Sequence, residues 1–383
     1  MSLPKVTLSY SNGNLLQAIA ALDGIGGIVG TVDTAGLYGL PKQVFNLADA
    51  VGQGFTLADE PFMYNVLKEF YAELTGNQEL WVMGVADTMT MTQMLDKDDA
   101  DAAIKLRKAA EGKISVLVVC RKPDGGYDAG NAFLDADVET ALTASIAFCA
   151  NALADLQPLR VLIEGRVNDE DSVDILEPKT IDADFGGVVL GSSAADSKGS
   201  VGVALGRAMH YAAHIKIGKV ANGPLSINEA YIGTKKIKDL AALESLHDKG
   251  YISFMRHPQK AGVYFGIDHM ANTSDYRLLA YGRVIDKAAK IAAAVYVNDI
   301  ESEVDVDPIT GFIAELDIKH LESRITQQIN VSMADQISGL EVFIDPAQDI
   351  INTSTLAVKL RIIPKGYTSF ITVDLGLKAP ILG

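Results

Sequence analysis

Ile114-Ser115-Val116-Leu117-Val118-Val119, running into Cys120, sets the fold class. Apart from Ser115 it is apolar, so it has no polar face to turn toward water. A strand of this kind needs cover on both sides, as in a parallel sheet held between helices. Upstream, residues 98–110 read as a helix rich in Ala, Lys and Asp, and Leu80-Trp81-Val82-Met83-Gly84-Val85 reads as a second buried strand. Residues 59–74 read as a helix, with Pro61 near its start and Gly76 beyond its end. Gly27-Ile28-Val29-Gly30-Thr31-Val32 is a third short apolar strand. Downstream, Asp124-Gly125-Gly126 is a turn. Over residues 137–156, Val138, Leu142, Ile146, Cys149 and Leu153 fall on one helical stripe. Residues 160–164 and 187–190 are further strands, and 200–213 a further helix. This alternation predicts an α/β domain with a mainly parallel sheet over residues 25–275. Its last part, 218–275, is less regular, with a short helix near 238–248 and apolar pieces such as Tyr251-Ile252-Ser253-Phe254.

Residues 276–383 predict a second domain, a two-layer α+β unit. Val284, Ala288, Ile291 and Val295 share one face of a helix over 281–300. Asp305-Val306-Asp307-Pro308 breaks it, and Ile318, Leu321, Ile325 and Ile329 form the stripe of a second helix. Three alternating strands are then expected. Leu340, Val342 and Ile344 line the first; Leu356, Val358, Leu360 and Ile362 the second; Ile371, Val373, Leu375 and Leu377 the third. Pro364-Lys365-Gly366 is read as the turn between the last two. Residues 1–24 form an N-terminal arm and short helix. In the arm Val6, Leu8 and Tyr10 alternate with Lys5, Thr7 and Ser9; the helix covers 15–22 and stops at Asp23-Gly24. The apolar tail Ala379-Pro380-Ile381-Leu382 follows the last strand. Alternating strands at both ends of a chain have to pair, either within the chain or with a neighbour by strand addition.

Composition narrows the class. The chain has 383 residues, 48% of them apolar and 21% charged, enough for two or three packed units. A net charge of −16 argues against a nucleic-acid backbone or anionic lipid as main partner. The two cysteines, Cys120 and Cys149, lie in apolar runs and read as buried, reduced thiols. Residues 1–10 lack a charged start followed by an apolar stretch, and no run reaches the ~18 apolar residues of a membrane span. Synthesis in the bacterial cytoplasm and no direct membrane insertion are expected.

No catalytic motif meets its own spacing. Gly24-Ile25-Gly26-Gly27-Ile28-Val29-Gly30 resembles a dinucleotide fingerprint, but Val29 stands where the third glycine belongs and the glycines precede the strand. A turn with close packing is the simpler reading. The loop from Gly191 to Ser200 contains Lys198 and precedes a helix, as an anion-binding loop does, and as plain strand-to-helix loops also do. His210 and His214 stand four apart, the spacing of a metal pair on one helix face, yet no third ligand is at hand. Acidic residues cluster at 96–101, 168–174 and 301–307. Asp305-Val306-Asp307 suggests a calcium loop only until Pro308. Catalytic residues, cofactors and metals are therefore assigned as none.

In order, these pieces resemble the contractile tail sheath proteins. Gly27-Ile28-Val29-Gly30-Thr31, then Gly39-Leu40-Pro41-Lys42-Gln43-Val44, then Leu80-Trp81-Val82-Met83 is similar to the start of that family. Asp275-Tyr276-Arg277-Leu278-Leu279-Ala280-Tyr281-Gly282-Arg283-Val284-Ile285-Asp286-Lys287-Ala288 resembles the arginine-bearing entry to its C-terminal helix. Leu356 to Pro364, Gly366, and Phe370 to Leu377 resemble its closing hairpin. The resemblance implies an α/β outer domain, a lattice-forming C-terminal α+β domain, and terminal arms that add strands to neighbouring copies. It implies polymers of this chain around an inner tail tube protein, with baseplate and terminator proteins at the ends. It also implies contraction powered by a difference between two packings, in a virion tail or tail-like particle.

Under this reading Val6, Leu8 and Tyr10 are arm contacts. Ile371, Val373 and Leu375 belong to the exchanging strand, and Leu356, Val358 and Leu360 to the receiving sheet. Arg283, Asp286 and Lys287 are charges facing another subunit or the tube, or else an ordinary solvated helix face. The apolar sets could equally form a sheet within one chain. Two other functions stay open: another phage structural or assembly protein, and an enzyme on a doubly wound sheet.

Overall fold

The apolar runs become strands of one six-stranded sheet. In chain order they are β1 (Gly26–Val32), β2 (Lys42–Val44), β3 (Leu80–Ala86), β4 (Val116–Cys120), β5 (Arg160–Glu164) and β6 (Gly186–Val189). Across the sheet the order is β2-β3-β1-β4-β5-β6. All neighbours run parallel except β2, an antiparallel edge strand beside β3. Ile28 lies level with Val82 on one side and Val118 on the other. Every residue of β1, β4, β5 and β6 is buried, which is why these segments carry no alternation. The structure is a computed structural model that describes residues 24–99, 101–122 and 133–377. The arm bearing Val6, Leu8 and Tyr10, the helix expected over 15–22, the Asp124-Gly125-Gly126 turn and the Ala379-Pro380-Ile381-Leu382 tail lie outside the described residues.

The helices around this sheet are α1 (Leu47–Gly52), α2 (Pro61–Ala72), α3 (Met91–Met94), α4 (Ala103–Ala109), α5 (Ala136–Ala154) and α6 (Val201–His210). Helices α2 and α6 pack together on one face; α3, α4 and α5 cover the other. The first pair approaches closely because Gly202 and Gly206 of α6 lie against the backbone of α2. A Cβ on either glycine would run into the carbonyls of Val66 or Phe70. Each mid-helix glycine costs about 1 kcal/mol of helix propensity relative to Ala, which this close contact offsets. Next come the small hairpin of β7 (Tyr231–Ile232) and β8 (Lys235–Lys236), then α7 (Leu243–Lys249), then β9 (Phe254–Met255) and β10 (Tyr264–Phe265). Ile252 bridges to Val189 and so extends the main sheet by a single contact.

The C-terminal unit contains α8 (Leu279–Tyr296), α9 (Glu315–Met333), β11 (Ile337–Ile344), α10 (Ile350–Thr353) and β12 (Val358–Pro364). Strands β11 and β12 pair antiparallel, with Val342 level with Leu360. One core joins the two layers: Val284, Ala288 and Ile291 from α8, Ile325 and Ile329 from α9, and Leu340, Val342, Leu360 and Ile362 from the strands. These are the stripes read from the sequence. The third strand does not form. Residues 371–377 have no strand partner among the described residues, and Ile371, Val373, Leu375 and Leu377 are all exposed. Pro364-Lys365-Gly366 is therefore not a hairpin turn, and the closing hairpin is β11 with β12. Alternation marks a segment able to be a strand, but pairing decides whether it becomes one. Leu356 lies just before β12, packed beside Ile344 and Ile350 in a small second cluster.

Candidate assembly interface

Strands β11 and β12 form a two-stranded sheet, so its outer edges lack a strand partner among the described residues. Such edges offer backbone N–H and C=O groups to an incoming strand. The inner face is committed to α8 and α9. The outer face carries polar pairs: Arg361 and Glu341 lie 3.7 Å apart, and the Lys359 ammonium sits 5.8 Å from the Phe343 ring centroid. Val358 and Leu360 are half-buried, with Leu360 turned toward the helices. What this sheet offers a newcomer is therefore backbone more than these side chains.

After β12 the chain leaves the body. Phe370 is 85% exposed, Ile371 77%, Val373 67% and Leu375 88%. Large apolar side chains at that exposure within one extended segment mark a surface meant to be covered. The root of the segment is fixed: the Tyr367 hydroxyl donates to the carbonyl of His214 at 2.5 Å, and its ring lies 5.3 Å from that of Tyr281.

Arg283, Asp286 and Lys287 are not exposed charges. They are 3%, 5% and 4% exposed, and Arg283 and Asp286 bond to the α/β unit of the same chain. Asp286 receives two bonds from Arg160 of β5, Nε at 2.7 Å and Nη2 at 2.8 Å, while Arg160 Nη1 donates to the carbonyl of Asp184 at 2.8 Å. Phe185 and Tyr276 flank the guanidinium. Gly282 allows this: a Cβ there would meet the Arg160 side chain. Arg283 donates to the carbonyl of Tyr211 at 3.0 Å. Lys290 reaches from α8 to the carbonyls of Gly112 and Ile114, and burial pushes its ammonium down to about 8. This face of α8 joins the two units. The helix showed its charges in the sequence, but nothing in the sequence near Asp286 pointed to Arg160.

The candidate chemistry sites resolve differently. Helix α6 ends at His210, so His214 does not share its face; His210 Nδ1 lies 2.7 Å from the carbonyl of Glu73. Gly26 and Gly27 stand inside β1, against Leu205 and Ile114, and serve close packing. The loop from Gly191 to Ser200 borders a cleft of about 510 Å³ lined by Glu69, Glu164, Asp196 and Lys198. Burial pushes the Glu69 carboxyl up to about 7, and the Ser200 hydroxyl donates to it at 3.2 Å. Glu164 is raised by burial too, though Arg166 pairs with it at 3.1 Å. Asp196 and Lys198 pair at 3.0 Å. Among the described residues no group of three or more His, Cys, Asp or Glu side chains is placed to hold a metal. No described helix is long and apolar enough to cross a membrane.

The whole chain has known relatives. The DUF2586 N-terminal domain matches residues 3–269, and the DUF2586 C-terminal domain matches residues 275–382. No curated protein matches the sequence. Among solved structures, a chain of the anti-feeding prophage helical sheath in its contracted state superposes with a TM-score of 0.62 at 15% identity, over 99% of this chain and 100% of that one. A chain of the anti-feeding prophage baseplate gives 0.63 at 14% identity, again over 99% and 100%. The sheath tail protein of Listeria innocua gives 0.51 at 12% identity, over 91% of this chain and 98% of that one. From its α/β unit to its C-terminal hairpin, the chain belongs to the DUF2586 family and has the fold of contractile tail sheath proteins.

Proposed function

We propose that this chain is the structural subunit of a contractile tail sheath, polymerising around an inner tube and contracting to drive it through a target envelope. What supports this most is an exposed apolar arm in a chain whose C-terminal sheet has, among the described residues, only two strands. Residues 368–377 are exposed, and the edges of β11–β12 have no further strand partner among the described residues. Strand addition from one copy to the next would cover both. A heterologous contact repeated between identical copies generates rings or helical polymers. Ile371, Val373 and Leu375 would set the register of the added strand, with Val6, Leu8 and Tyr10 in a second arm. Leu356, Val358 and Leu360 belong to the segment that receives them. The tube protein, the baseplate and the terminator are its further partners, in a phage tail or a tail-like particle. The role is structural and needs no cofactor, because the work of contraction is the free-energy difference between two packings of the same copies.

Negative-stain microscopy of the purified chain tests this, beside one variant lacking residues 1–12 and one lacking 368–383. Hollow cylinders are expected from the full chain and from neither truncation. A monodisperse compact particle at every concentration would sink the reading and turn attention to the cleft beside Glu69.

A further inference from the structure

We infer that Tyr367 is a positioning residue for the C-terminal arm, and that it fastens the arm to the joint between the two domains. The inference rests on the sheath reading only for what the arm pairs with, a second copy of this chain. Strand β12 ends at Pro364, level with Ile337. Three residues on, the phenol of Tyr367 is seated against the other domain. Its hydroxyl donates to the carbonyl of His214, its ring is tilted 33° against that of Tyr281 in α8, and the Lys216 ammonium stands 5.4 Å from its centroid. Among the described residues, everything after it is exposed.

Lys216 carries the connection further. Its ammonium pairs with Asp268 at 3.2 Å, and Asp268 is fully buried. Asp268 in turn caps α8 from a distance: its backbone carbonyl accepts from Leu279 N at 2.9 Å and its carboxylate from Ala280 N at 3.2 Å. Leu278, which stands at the cap position, has no side chain able to do so. One run of contacts thus links the arm root, the 214–216 segment and the first turn of α8.

The mechanical consequence follows from the hairpin. A pull on the arm without an anchor would act on Pro364 and peel β12 from β11 one pair at a time, the low-force mode of unzipping. With Tyr367 seated, the first fixed point lies on the α/β domain. The load then passes to the start of α8, next to the Arg160–Asp286 pair. A pull from the neighbour that holds the arm would be felt at this copy's own domain joint and not dissipated in its hairpin.

The experiment compares full-length wild type, Tyr367→Phe, Tyr367→Ala and Lys216→Met. Amide hydrogen exchange is measured on the unassembled chain and polymer yield by negative stain. Exchange at Leu279 and Ala280 is expected to accelerate by about tenfold or more in Tyr367→Ala and Lys216→Met, with Val29 and Val118 unchanged. Tyr367→Phe keeps the ring contacts and should stay within about threefold of wild type. Polymer yield should fall in Tyr367→Ala and recover in Tyr367→Phe. Wild-type exchange rates at Leu279 and Ala280 in either Tyr367→Ala or Lys216→Met would overturn the anchor. Faster exchange with full polymer yield in Tyr367→Ala would overturn its role in positioning the arm. If wild type forms no polymer while the exchange result holds, the sheath reading fails and the anchor stands. Lys216→Met leaves Tyr367 in place, so the test survives if Tyr367→Ala does not fold.

Discussion

Asp286 is the residue on which the joint between the domains depends. Arg160 meets it with two nitrogens in a site where both side chains are nearly dry. Removing one partner of a buried pair strands the other charge, at a cost of about 3–5 kcal/mol, whereas an apolar replacement of both is often neutral. Asp286→Ala should therefore lower the urea midpoint strongly, and Arg160→Met with Asp286→Leu should restore most of it. A small loss in Asp286→Ala would mean that water reaches the site. Glu69 gives a second residue-scale expectation, this one in pH. Its carboxyl is raised by burial from 4.5 to about 7, with Ser200, Lys198, Asp196 and Glu164 around it. The folded chain thus holds this proton more tightly than the unfolded chain, and stability falls as pH rises from about 4.5 to 7. Glu69→Gln removes that dependence. At pH 8 the variant should be more stable than wild type by on the order of 3 kcal/mol, and by pH 4 the two should converge. Equal stability curves across that range would show that Glu69 is ionised without penalty.

Elements show where the sequence could be read and where it could not. The buried strands and the stripes of α8 and α9 were legible because a hydrophobic pattern reports which faces are covered, wherever the cover comes from. The third C-terminal strand was legible as a pattern but not as an element. Ile371, Val373 and Leu375 alternate as a half-buried strand should, yet no strand in the described chain pairs with them. Arg283, Asp286 and Lys287 failed in the other direction. A charged helix face normally means solvent, and the arginine that answers Asp286 stands 126 residues away. Sequence pattern records that a side chain will be covered or charged, and leaves the partner to tertiary structure. The arm turns this into a prediction. Val373→Asp with Leu375→Asp places charges on a segment that is mostly exposed in the isolated chain, so its unfolding free energy should stay within about 0.5 kcal/mol of wild type. The same charges would have to be buried in a covered strand, at several kcal/mol each, so polymer should be absent. Destabilisation of the monomer would show that the arm packs on its own body.

At the scale of the whole molecule the arm and the charge oppose each other. Each copy brings a net charge of −16, and a sheath brings many copies together. Like-charged bodies repel over about a Debye length, ~10 Å at 0.1 M salt and ~3 Å at 1 M. Strand addition is held by backbone hydrogen bonds and apolar side chains, which salt does not weaken. The lattice would then be a balance between a salt-insensitive bond at the arms and a salt-sensitive repulsion between the bodies. The buried ion pairs of the joint add nothing to this balance, since they are closed within each copy and largely unscreened. Raising NaCl from about 0.05 M to about 0.5 M should therefore lower the concentration at which polymer first sediments, and leave the melting of the unassembled chain nearly unchanged. Polymer that dissolves as salt rises would point to ion pairs between the acidic bodies and cationic patches on their neighbours as the main bond. The arms would then guide copies into register, and the bodies would carry the load of contraction.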